Sequence, residues 1–178
     1  MYFADLDRCR YHSGPLDADS WQVPLLAVGW LEHPHGFSLG EVPEGLLARL
    51  QNLITAAEAA HPQHNFRGLH CCSLCEAGRG PAEGLHQSHV NLLIPGDGVV
   101  YAAPAGIAHY IESHSYLPPS QFIAAVASCP EYGSAVFFEA LRIANRRNEP
   151  PIRSREEDVH AFREEAAKAI AARNSRSI

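Results

Sequence analysis

The residues best suited to chemistry are cysteines and histidines. Cys71, Cys72 and Cys75 fall within five positions, and His109 and His114 bracket four residues in HYIESH. Cys72-Ser-Leu-Cys75 is a CxxC turn. Two thiolates at that spacing can face one ion while amides of the turn donate to the sulfurs. Such a knuckle is half of a tetrahedral zinc site. An H-x4-H pair lies within the spacing used by zinc ligands, provided the last turn of its helix loosens. Thiolate and neutral imidazole together suit Zn²⁺, and four protein ligands close the site and make it structural. The expected ligands are therefore Cys72, Cys75, His109 and His114. His70, two residues before Cys72, is the alternate for one histidine.

Other readings compete for the same residues. Ligation through Cys71 would make CxxxC, a less usual knuckle. His86 and His89 would face opposite sides of a strand, so both cannot easily reach one ion. Five cysteines cannot all pair internally. Cys9 and Cys129 read as buried thiols, and the cluster itself could be small buried hydrophobes. A redox dithiol lacks a surrounding βαβ unit. A catalytic zinc would keep one position for water and need a base. Glu112, between the two histidines, is the obvious base, with Glu83 and His86 to assist, although Glu112 also reads as a solvent-facing helix residue. HExxH, GxSxG, a P-loop, GxGxxG after a strand and the deaminase order HxE before PCxxC are all absent.

The elements that must position these groups are legible in outline. LLAVGWL (25–31) is a short apolar run that fits a buried strand. After Pro43, Leu46, Leu47, Leu50, Leu53, Ile54 and Ala57 recur at helical spacing, and Pro62 ends the pattern. HVNLLI and VVYAA flank Pro95-Gly-Asp-Gly98, which reads as a β-hairpin. Pro104 suits a first helical position, so a short helix is expected over 105–114. Ser120 and Ser134 are expected to cap two further helices, the second with Val136, Phe137, Ala140, Leu141 and Ala144 inward. Pro150-Pro151 reads as a hinge, and Ser154 with Glu157 forms a capping box for a helix to about Arg173. Its apolar stripe is Val159, Phe162, Ala166 and Ile170.

The order of knuckle, hairpin and helix is that of a ββα zinc finger with an insert of about 33 residues. The expected fold class is therefore α+β: a small antiparallel hairpin or sheet with a zinc-finger-like knuckle, packed by four or five helices. Residues 1–149 form the domain, and 150–178 a C-terminal helical appendage.

Charge narrows the partners. The formal net charge is −6, from 14 bases and 20 acids. Residues 1–141 hold five bases against fourteen acids, while 142–178 hold nine bases against six acids. An acidic body repels phosphate, and 104–114 contains no Lys or Arg to read a groove, so nucleic acid is an unlikely partner. No apolar run reaches the ~20 residues of a membrane helix, and MYFADLDRCR lacks a signal peptide's features. A cytoplasmic, Arg-rich bacterial protein is the expectation.

RGLHCCSLC (67–75), IPGDGVVYAAPAGIAHYIESHSYLPPSQFIAAV (94–126) and VGWLEHPHGFSLGEVPEGLLARL (28–50) resemble an uncharacterised family of small bacterial proteins. Its pattern has an HxCxxC segment and a PGDGVxYxAP…HYIxxHxYxPPxxF string, and the likeness runs from about Tyr2 to about Arg147. It implies ligation by Cys72, Cys75, His109 and His114, with His70 as an extra candidate, and carries no activity over. The resulting expectation is a non-enzymatic, zinc-stabilised protein-binding module, immunity-like in its small acidic character. The alternative is a metal-dependent hydrolase with Glu112 as base.

Overall fold

The computed structural model describes residues 1–9, 23–60, 70–75, 87–88 and 90–145. The chain divides into two compact units, Met1–Arg147 and Asn148–Ile178. The Pro150-Pro151 hinge and the helix expected after Ser154 lie outside the described residues.

The hairpin is the centre of the first unit. β4 (Asn91–Pro95) and β5 (Val100–Pro104) pair antiparallel, with Ile94 opposite Tyr101 and Leu93 opposite Ala102. Gly98 at φ 64° and the Gly96 N–H donating to the Val99 carbonyl close the turn, which only a glycine-rich tip does cheaply. Every residue of both strands is buried. That explains their unbroken apolar runs, since burial on two faces removes the usual alternation.

The third strand departs from expectation. β1 (Leu25–Ala27) pairs parallel to β5, so the sheet is mixed, in the order β1-β5-β4. Its other edge is covered by the N-terminal segment: Leu6 and Cys9 amides donate to Ala27 and Leu25 carbonyls, and the Ala27 amide donates to Asp7. β2 (His70–Cys71) and β3 (Gln87–Ser88) make a separate two-stranded antiparallel sheet.

Four helices cover the sheet among the described residues. α1 (Leu46–Ala60) buries Leu46, Leu50, Leu53 and Ala57, spaced by four, three and four. Each such leucine stabilises by roughly 1.5–3 kcal/mol. α2 is Ile107–His114, α3 Ser120–Ser128 and α4 Ala135–Ala144. Pro104 ends β5 opposite Asn91 instead of starting α2, because the ladder continues with the Ala105 amide donating to Val90. Ser120 is the first helical residue of α3 and Pro119 occupies the cap, without a side-chain bond. Ser134 caps α4 as expected, its hydroxyl accepting from the Phe137 amide at 3.1 Å. Val136, expected inward on α4, is 66% exposed; Phe137, Leu141 and Ala144 carry the buried face.

Candidate metal centre

Two short elements meet at the cluster. The knuckle follows β2 directly, and its Leu74 is buried in the core, which anchors the turn between the two cysteines. Ser73 accepts a hydrogen bond from the His33 amide at 2.9 Å, so the 31–35 loop clamps the knuckle from outside. α2 presents Ile107, Tyr110, Ile111 and His114 to the interior.

Residues five apart on a regular helix diverge by about 140°. His109 and His114 nevertheless converge, with ring centroids 5.1 Å apart and planes at 84°. The end of α2 is wider than an α turn. The Ser115 amide donates to the Tyr110 carbonyl five residues back, and the Tyr116 amide reaches the same oxygen. Ser115 takes the left-handed conformation (φ 54°) that stops the helix there. The loosened last turn that the spacing demanded is therefore present.

The four predicted side chains come together. Cys72 Sγ lies 3.3 Å from His114 Nε2. Cys75 Sγ lies 3.3 Å from His109 Nε2 and 3.4 Å from His114 Nε2. All four ligand atoms are within 4.8 Å of one another. Bonds of about 2.3 Å to sulfur and 2.0–2.1 Å to nitrogen at tetrahedral angles give S···N edges of roughly 3.5 Å. Three of the four S···N separations match that within a few tenths. Pairwise hydrogen bonding accounts for them less well. His114 Nε2 has one lone pair or one proton, yet it faces two sulfurs, and Cys75 faces two rings. Shared contacts of this kind are what the edges of a coordination polyhedron would give. The donor set therefore fits a soft-to-borderline divalent ion held through two sulfurs and two nitrogens.

A second layer supports the first. Ser113 Oγ is 3.3 Å from His109 Nδ1. With Nδ1–H donating to that hydroxyl, Nε2 is left with its lone pair toward the sulfurs. Tyr110 is buried between the histidines, and its hydroxyl makes a long 3.5 Å bond to the Leu31 carbonyl. Burial first, then the Cys72, Cys75 and Glu32 charges, holds the phenol proton on well beyond the ordinary range. Tyr110 is thus a neutral wall. The sequence reading missed Ser113, Ser73 and Tyr110. Ser113 alone had a visible signal, since it sits four residues after His109 and helical neighbours at i+4 meet.

The remaining residues named from sequence separate clearly. Glu112 is exposed on α2 and is no part of the cluster. His70 lies on β2, and the quartet is complete without it. Cys9 and Cys129 are buried, as expected, at 5% and 2% exposure. Cys71 lies on β2, while Glu83, His86 and His89 lie outside the described residues.

No curated protein and no solved structure matches this chain. One family model does, over residues 1–127, and that span includes the knuckle, the hairpin, α2 and all four clustered side chains. It stops short of α4, whereas the motif resemblance runs to about Arg147. Since the match covers well over half of the sequence, the chain belongs to the family described as a domain of unknown function, DUF7919.

Proposed function

We propose that Cys72, Cys75, His109 and His114 hold one structural Zn²⁺, and that the chain is a non-enzymatic module that binds a basic protein partner. The observation that carries the zinc reading is the shared-edge quartet, with S···N separations of 3.3–3.4 Å. Bound there, zinc would supply cross-linking alone: it would tie the knuckle to α2, two short elements distant in sequence. Four protein ligands fill a tetrahedral ion and leave no place for water, and Glu112 is directed to solvent. Both features favour the structural role over a hydrolase.

The partner reading rests on charge. The first 141 residues carry five bases against fourteen acids, a field that speeds encounter with a basic surface. An immunity-like role, in which an acidic module neutralises a basic toxin, is one form of that reading. The zinc part is tested by metal content and by stability after chelation. The partner part is tested by crosslinking the full chain in lysate of its own source and identifying the products by mass spectrometry. A stoichiometric partner of basic pI, lost at high salt, supports it; recovery of only uncrosslinked chain at every salt concentration refutes it.

A further inference from the structure

A second site lies away from the cysteines. The β4–β5 turn, α3 and α4 enclose a cleft of about 620 Å³, within the range of small-molecule sites. Its walls are apolar, with Ala124, Pro130 and Ile143 prominent. Ile143 is 57% exposed, a large apolar side chain left toward solvent.

Tyr101 lines the cleft and is the exception among the buried tyrosines. Tyr110 bonds the Leu31 carbonyl, Tyr116 bonds Asp5, and Tyr132 bonds the Leu93 backbone. The Tyr101 hydroxyl has no hydrogen-bond partner among the described residues, although the residue is only 4% exposed. Buried tyrosine hydroxyls usually find a partner. The ring is fixed: it stands edge-on to Phe122 at 5.7 Å, and a Cβ on Gly96 would come within 2.8 Å of it. Held there, Tyr101 lines the cleft, so a molecule in the cleft can offer its hydroxyl the partner that the described residues do not. At the rim stand the exposed Asp97 and Gln121. Asp97 likewise has no ion-pair partner among the described residues.

We infer that this cleft binds a small amine with an apolar body and one further hydrogen-bonding group. The ammonium pairs with Asp97, the apolar body lies against Ala124, Pro130 and Ile143, and the second polar group meets the Tyr101 hydroxyl. The family match ends at residue 127, before Pro130 and α4, so the far wall is supplied by sequence outside the matched segment. The site is independent of the zinc reading.

Tyramine is the probe, titrated into the full chain as purified and followed by amide NMR shifts. The expected result is saturable shifts at 96–97, 101, 121–125 and 140–143. Tyr101→Phe weakens tyramine about five- to tenfold, as loss of one hydrogen bond should. The same variant leaves 2-phenylethylamine, which lacks the phenol, unaffected. Asp97→Asn weakens both amines, and 4-hydroxyphenylacetate does not bind. Removing an unpaired hydroxyl leaves the free protein's melting temperature unchanged. The inference is overturned by any of three results: no saturable shift at about 10 mM tyramine, far above any useful affinity; binding of 4-hydroxyphenylacetate as tight as that of tyramine; or a free Tyr101→Phe protein that melts lower, which would show the hydroxyl already satisfied.

Discussion

Ser113→Ala separates a metal site from a mere cluster of polar side chains, because it should act with opposite sign in the two forms of the protein. With zinc bound, Ser113 would fix the His109 tautomer from 3.3 Å. Losing such a partner typically costs 10–100-fold in metal affinity. A 3.3 Å contact is long, so the effect belongs at the lower end, about tenfold or ~1.4 kcal/mol. Without zinc, the same change replaces serine by the best helix former inside α2, a gain of up to about 0.5 kcal/mol. The zinc-loaded variant should therefore be less stable than wild type by roughly 1 kcal/mol, and the metal-free variant equal or slightly more stable. Denaturant midpoints with and without a saturating chelator measure both, and competition against a chromophoric chelator measures affinity directly. Unchanged affinity in Ser113→Ala, or an equal loss of stability in both forms, would refute the second-layer role and weaken the polyhedron it is said to orient.

Further predictions concern the frame around the site. Gly29 sits at φ 73°, and an added Cβ would come within 2.8 Å of Ile107 at the start of α2. Gly29→Ala should lose at least the ~1–2 kcal/mol of the left-handed backbone, read as a drop in melting temperature of several degrees. The Tyr116 hydroxyl donates to both Asp5 oxygens at 2.8 and 2.9 Å, and Asp5 also accepts from the Gly29 amide. Tyr116→Phe should therefore cost about 1.5–3 kcal/mol in denaturant midpoint, the range for a bond to a charged group. Burial pushes the Cys129 thiol from 9.0 up to about 11, against the opposing Arg49 charge, and Tyr132 from 10.0 to about 12. Both shifts are upward, so below about pH 8 each group keeps its proton folded or unfolded and neither of the two contributes a slope. Between about pH 9 and 12 the unfolded chain releases protons the folded one retains, and stability falls; Cys129→Ala should flatten the first part of that fall in a midpoint-against-pH profile.

The parts of this molecule that read clearly from sequence are local ones. The leucine spacing of α1, the Gly-Asp-Gly turn and the Ser134 cap each depend on residues within one turn or one hairpin. The four residues of the candidate site were also legible, because CxxC and H-x4-H are short patterns, the second needing only the widened turn that ends α2. What escaped was set by distant contacts. β1 is three residues long, and its parallel pairing with β5 joins positions some 75 apart, which no local period encodes. The same holds for the Asp5–Tyr116 bond, across 111 residues, and for the clamp of His33 on Ser73. Val136 failed for a related reason: α4 has apolar residues on more than one face, and only the neighbour it packs against decides which face is inward.

The first measurement is the zinc content of the purified, untagged chain by elemental mass spectrometry, followed by thermal melting with and without chelator. About one zinc per chain is expected. At free zinc a thousandfold above Kd the ion contributes about 4 kcal/mol. Its removal should therefore lower the melting temperature by roughly 8–16 °C for a chain of this size. Cys72→Ser, Cys75→Ser, His109→Ala and His114→Ala should each reproduce that loss. A chain that purifies without metal, titrates both knuckle thiols freely and melts at the same temperature in chelator would contradict a structural zinc site.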